Sequence, residues 1–227
     1  MTGAGSITQQ RYLKAAWYVA EAESVVTVGH VAQRLEVSHA SASSGLKGLA
    51  DQQLLQEAED RGFRLTAEGQ RGALRLVRRH RLIETFLAEV LDVPWDQVHD
   101  ETERFEWFIS DDLELRIAEV LGNPERDPHG DPIPTAEGQH EEDLDLPLAQ
   151  VPLGATARLV RIRDDDPALL RFLDDVGLGI GSLIRVDRRD PFGGPLWLSS
   201  DQGQHALGQP AVRAISVSEV AEHEATP

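Results

Sequence analysis

The hydrophobic pattern of this 227-residue chain changes period near residue 146, and that break limits the folds open to it. Before the break, apolar residues recur at three- and four-residue steps, the repeat of amphipathic helices. After it, short apolar runs are punctuated by glycine and proline, the signature of small antiparallel strands. Between the two, Asn123 to Pro134 holds four prolines, which excludes helix and central strand. Thr135 to Asp145 is acidic, nearly free of large apolar residues, and reads as a linker. The expectation is a mainly α chain with a C-terminal β domain, divided into residues 1–75, 76–146 and 147–227.

In the first part, Tyr12, Ala16, Val19 and Ala20 mark a helix from Thr8 to about Glu23. Thr27 caps a short helix through Val37, and Ser38 caps another that buries Ala42, Leu46 and Leu49. Leu54–Glu57 and Phe63–Leu65 read as a hairpin around Asp60-Arg61-Gly62. Helix, helix-turn-helix and hairpin are the order of a winged helix-turn-helix. Its exposed reading side would be Ser38, His39, Ser41, Ser43, Ser44 and Lys47, with Arg61 and Arg64 on the wing. A plain trihelical packing unit or a protein-interaction module is the alternative.

A helix from Thr66 to about Leu91 follows, then a break at Val93-Pro94-Trp95 and one more helix from Asp96 or Gln97 to near Gly122. Each helical residue advances about 100°, so His80 and Glu84 share a face. The same arithmetic places His99, Glu103 and Glu106 within roughly 60° of one another. Imidazole and carboxylate converging from two helices suit a divalent ion of the Mn, Fe, Co or Zn kind. Such i, i+4 pairs also occur on solvated helices without a metal. Leu113, Ile117, Val120 and Leu121 form an apolar stripe that fits a dimer seam. Beyond residue 146, the runs 155–162, 182–188, 196–199 and 214–217, with one helix from Pro167 to Val176, indicate a small SH3-like barrel.

The net charge of -17 argues against a nucleic-acid partner until it is divided. Residues 1–75 carry 8 Lys+Arg and 8 Asp+Glu, residues 76–146 carry 6 and 20, and residues 147–227 carry 8 and 11. Only the first third tolerates phosphates. The chain has no cysteine, which removes disulfides, thiolate ligands and thiol nucleophiles. No run approaches the ~18 apolar residues of a membrane span, and no leader is read at the start, so a cytoplasmic protein is expected. His-Glu-x-x-His, Gly-x-Ser-x-Gly and phosphate-loop motifs are missing, which argues against an enzyme.

Tyr12-Leu13-Lys14, Leu65-Thr66-Ala67-Glu68-Gly69, Arg78-Arg79-His80-Arg81-Leu82-Ile83-Glu84, Val98-His99-Asp100-Glu101, Ser110-Asp111 and Asp127-Pro128-His129-Gly130-Asp131-Pro132-Ile133-Pro134 follow in fixed order. Together they resemble the diphtheria toxin repressor family, in its three-domain form that senses manganese or iron. The resemblance covers about residues 7–220. It implies a homodimer that binds a palindromic DNA operator when Mn2+ or Fe2+ is bound, with Zn2+ or Co2+ as substitutes in vitro. It implies an ancillary metal site of His80, Glu84 and His99, with a further ligand from the barrel near Asp166, where Asp164 and Asp165 also stand.

The same resemblance places a primary metal site at the positions of Arg11, Glu103, Glu106 and Trp107. Here the chain departs from the pattern, because arginine has no lone pair for a metal and the indole N–H only donates. The expectation is that Arg11 forks onto Glu103 and Glu106 in place of an ion. The alternative is that Arg11 faces solvent or phosphate. A regulator on this scaffold that answers to no metal is the alternative function, and a metalloenzyme a further one.

Overall fold

The computed structural model describes residues 5–23, 25–59, 62–139, 145–163 and 166–221. They fall into two compact units, one drawn from residues 1–80, 106–109 and 133–141, the other from residues 81–105, 110–132 and 142–227.

The first unit opens with helix α1 (Ile7–Ala22). Ser6 and Gln9 form a capping box at its start, satisfying backbone donors that a helix end leaves orphaned. Helix α2 (Val28–Arg34) is capped by Thr27 and α3 (His39–Asp51) by Ser38, as the sequence indicated. Strands β1 (Leu55–Ala58) and β2 (Gly62–Leu65) pair antiparallel, Leu55 opposite Leu65. Trp17, Val26, Val31, Leu46, Leu49, Leu55 and Phe63 pack one core with Leu74 and Val77 of helix α4 (Ala67–Leu91). Thr66 fastens the hairpin to α4: its hydroxyl donates to the Gln53 carbonyl (2.7 Å) and accepts from Gly69 N (3.0 Å). A side chain at Gly69 would strike the Leu54 carbonyl, which accounts for glycine there. Gly45 of α3 lets the buried Tyr12 ring of α1 lie directly against the α3 backbone.

The helix expected from residue 96 or 97 to near 122 is instead three pieces. They are α5 (Val98–Phe105), a single 3-10 turn (Glu106–Phe108) and α6 (Asp111–Val120). Ser110 causes the restart, since its hydroxyl accepts from Leu113 N (3.2 Å) as a cap. Gly122 and Asn123, both at positive φ, end α6.

In the second unit the proline-rich segment is an ordered turn. Asp127 Oδ1 accepts from the backbone of His129 and Asp131, both at 2.9 Å. Gly130 sits at φ 84° where a side chain would strike the Val160 carbonyl. The β domain is a six-stranded antiparallel sheet built from β3 (Leu146–Pro147), β4 (Thr156–Ile162), β5 (Leu183–Arg189), β6 (Leu196–Ser200), β7 (Gly203–Leu207) and β8 (Ile215–Ala221). Their order is β3-β8-β4-β5-β6-β7. Register shifts in β4 and β5 bend it. Helices α7 (Pro167–Asp175) and α8 (Gln209–Ala214) complete the domain. Leu148, Leu159, Ile162, Leu173, Ile184, Leu198 and Ile215 fill its core. Strands β3 and β7 and helix α8 were not expected: two residues are too few for a pattern, and Gly203-Gln204-His205-Ala206-Leu207 is weakly apolar. No described helix is long and apolar enough to cross a membrane.

Candidate metal centre and reading helix

Helix α4 carries the buried His80 and Glu84 one turn apart, at the helical phase of the buried Ala73, Val77 and Leu87. Glu84 Oε1 lies 3.1 Å from His99 Nδ1 of α5, and His99 Nε2 lies 3.9 Å from the exposed Glu103. Helical spacing thus links His80 to Glu84, and a direct contact links Glu84 to His99, as expected.

The second unit adds two ligand-type side chains that sequence reasoning missed. Ligand atoms of Glu84, Asp127 and His129 lie within 4.8 Å of one another. His129 Nε2 donates to the Trp95 carbonyl (2.8 Å), and its ring stacks on Trp95. That tautomer leaves Nδ1 with the lone pair, the arrangement of an imidazole oriented to bind a cation. Burial, together with the charges of Asp131 and Glu84, pushes the Asp127 carboxyl well above its usual range, against the pull of Arg81. Crowded, buried carboxylates beside an oriented imidazole call for a cation, so nitrogen and oxygen donors of this kind fit a transition metal. The signal was in the sequence, since Asp127-Pro128-His129 places carboxylate and imidazole two residues apart in a rigid turn.

Asp166 is exposed and caps α7, accepting from Ala168 N (2.8 Å). Asp164 and Asp165 lie outside the described residues.

At Glu106 the structure places Lys14 where Arg11 was expected. Arg11 is exposed on α1, and Glu103 is exposed on α5. The cation at Glu106 is Lys14, three residues on and therefore about 60° around the helix, on the buried side. Lys14 Nζ donates to Glu106 Oε1 at 2.7 Å and stands 3.1 Å from His80 Nδ1. His80 Nδ1 is also 2.7 Å from Glu106 Oε2. The shorter contact and the carboxylate charge favour Nδ1–H donating to Glu106, so Nε2 keeps the ring's lone pair. Trp107 presents its ring face 5.1 Å from the ammonium. Burial raises the Glu106 carboxyl, but His80 and Lys14 outweigh it and hold the carboxyl below its usual range.

On α3, Ser38, His39, Ser41, Ser44 and Lys47 are exposed and Ser43 is half-buried, so the expected reading side faces outward. Ser38 and Ser41 hydroxyls also meet each other at 3.0 Å. Arg64 is exposed on β2, while Arg61 lies outside the described residues. Of the apolar stripe, Leu113 and Val120 are exposed, Leu121 is half-buried, and Ile117 is buried.

The described residues thus combine a winged helix-turn-helix, a helical segment with buried imidazole and carboxylate groups, and a small antiparallel β domain. Residues 6–63 match the family description "Iron dependent repressor, N-terminal DNA binding domain". Residues 66–135 match "Iron dependent repressor, metal binding and dimerisation domain", and residues 146–219 match "FeoA domain". The chain belongs to the iron-dependent, or diphtheria toxin, repressor family, a family of transcriptional repressors and not of enzymes. It is 30% identical to the diphtheria toxin repressor of Corynebacterium glutamicum over 79% of this chain and 83% of that protein. It is 34% identical to the iron-dependent repressor IdeR of Mycobacterium leprae over 69% of this chain, and spans 65% of that relative's length. A solved manganese-dependent transcriptional repressor in complex with manganese superimposes with a TM-score of 0.86 at 41% identity, over 92% of this chain and 98% of that one.

Proposed function

We propose that this protein is a metal-responsive DNA-binding repressor that acts in the cytoplasm as a homodimer on a palindromic operator and controls manganese or iron homeostasis genes. Residues 1–75 read DNA, residues 76–146 bind metal and dimerise, and residues 147–227 form the SH3-like domain. The observation that carries this reading is the buried Glu84 carboxylate facing His99, with Asp127 and His129 close by. His80, one turn before Glu84, completes the proposed ancillary set. Mn2+ or Fe2+ fits this oxygen and nitrogen donor set, and Zn2+ or Co2+ would substitute in vitro. Ser38, His39, Ser41, Ser43, Ser44 and Lys47 at and along α3, with Arg61 and Arg64, are the proposed DNA contacts. Hydroxyls lack the bidentate discrimination of arginine, so part of the specificity falls to DNA shape.

The test is affinity for the protein's own upstream DNA at fixed salt, with chelator and then with Mn2+, Fe2+ or Zn2+. Metal should tighten binding at least about tenfold, some 1.4 kcal/mol of coupling, and Glu84→Gln should abolish the difference. Equal binding with and without metal would favour the second reading, a regulator that answers to no metal. Lys14, set against Glu106, supports that second reading.

A further inference from the structure

The pocket that the resemblance assigns to a primary metal has a donor set that does not fit one. Of its four expected members, Arg11 is exposed on α1 and Glu103 is exposed on α5. Trp107 offers a ring face and an N–H, neither of which is a metal ligand. Glu106, in the same unit as α1, has its Oε1 already bonded to a charged amine that has no lone pair.

We propose that Lys14 is the resident cation of this pocket, a covalently attached ammonium that holds α1 in place and leaves no room for a second, metallic cation. The proposal goes beyond metal binding at Glu84 and His99 and does not depend on it. Three observations support it. First, Lys14 is only 6% exposed, in a helix stretch whose neighbours Tyr12, Leu13, Ala15, Ala16 and Trp17 are all buried. A lysine is almost never buried without a partner, so its position is set by what it meets and not by solvation.

Second, what it meets comes from two other parts of the chain. Glu106 and Trp107 lie on the 3-10 turn, so the ammonium joins α1 to that turn, and Glu106 in turn accepts from His80 of α4. Third, the surroundings suit a monovalent cation. One Glu106 oxygen holds the ammonium at 2.7 Å, the aromatic face is electron-rich, and His80 turns its N–H to the second carboxylate oxygen. A divalent ion there would stand against a fixed positive charge a few ångströms away.

Two measurements on the full-length protein test this. The number of Mn2+ ions bound per subunit at saturation, read by equilibrium dialysis, is compared between wild type, Glu106→Gln and Glu84→Gln. Glu106→Gln is expected to leave the number unchanged. Loss of one ion in Glu106→Gln would overturn the proposal, whereas an unchanged number in Glu84→Gln would instead overturn the metal site proposed above. Amide hydrogen exchange of α1 is then followed in chelator. Lys14→Met should speed it at least tenfold, and Lys14→Arg, which keeps the charge, should stay within threefold of wild type. Exchange in Lys14→Met as slow as in wild type would overturn the proposal. If Lys14→Met does not fold, the ion count in Glu106→Gln decides alone.

Discussion

Two glycines in the reading helix make opposite predictions. A methyl group added at Gly48 meets nothing within 4 Å. Gly48→Ala should therefore gain the intrinsic helix preference of alanine, about 1 kcal/mol. At Gly45 the same methyl would lie 2.6 Å from two Tyr12 ring atoms and 2.7 Å from a third. Tyr12 is 7% exposed and packed in the first unit's core, so its ring cannot swing aside cheaply. Overpacking costs about 1–3 kcal/mol, and three close ring contacts put this case at the upper end. Subtracting the helix gain leaves Gly45→Ala less stable than wild type by about 2 kcal/mol. The two variants should thus differ by about 3 kcal/mol, roughly a hundredfold in the opening equilibrium of α1 and α3. Amide hydrogen exchange of those two helices, at fixed metal and salt, measures it directly. Equal exchange in the two variants would refute the claim that α1 and α3 meet through a glycine. Gly45→Ala should also weaken operator binding, since α3 carries the proposed contacts.

Three further outcomes follow from single residues. Lys47→Ala should weaken binding about equally on all DNA sequences and reduce the salt slope by about 1, the mark of a phosphate contact; loss at one base position only would assign it to base reading. Ser110→Ala removes the α6 cap and should cost about 1 kcal/mol, seen as faster amide exchange at the start of α6; unchanged exchange would mean that the Ser110 hydroxyl does not start the helix. The Ser199 hydroxyl, donating to Asp187 at 2.5 Å, is the largest cause holding that carboxyl below its usual 3.8. Its contribution to stability is present above pH 3.8 and is lost as the pH falls through the lowered value. Ser199→Ala should bring the Asp187 midpoint up toward 3.8 in a carboxyl titration by NMR, and an unmoved midpoint would assign the shift to Arg185.

The helices of the winged unit were legible because their caps and apolar repeats are local: Ser38 and Thr27 start helices in sequence and in structure alike. The break at Ser110 was missed because the apolar repeat runs on through it, and a cap competes with continuation without leaving a gap in the pattern. At the proposed metal centre, the shared face of His80 and Glu84 was legible from helical spacing, and the meeting of Glu84 with His99 only from the resemblance. Asp127 and His129 were read only as part of a segment that marks the family, since loop residues have no period to reveal which way they face. Arg11 was chosen over Lys14 because it stands at the expected ligand position. The contrary signal was Lys14 itself, a single charge set among Leu13, Ala15, Ala16 and Trp17, where helical arithmetic turns residue 11 outward.

A cation tethered to the chain differs from a dissolved one in how its hold depends on supply. An ion binding only the folded, closed form contributes about 2.7 kcal/mol at a hundredfold excess over its dissociation constant and nothing when it is scarce. The Lys14 ammonium is present at one fixed effective concentration in starved and replete cells alike. Fastening α1 is thereby separated from sensing, and any dose response comes from the remaining centre alone. Such a response is hyperbolic within each subunit, without the steepness that two centres filling in sequence would give. On the proposed reading its midpoint is set by Glu84 and its neighbours, and the threshold can drift without loosening the helix that Lys14 meets.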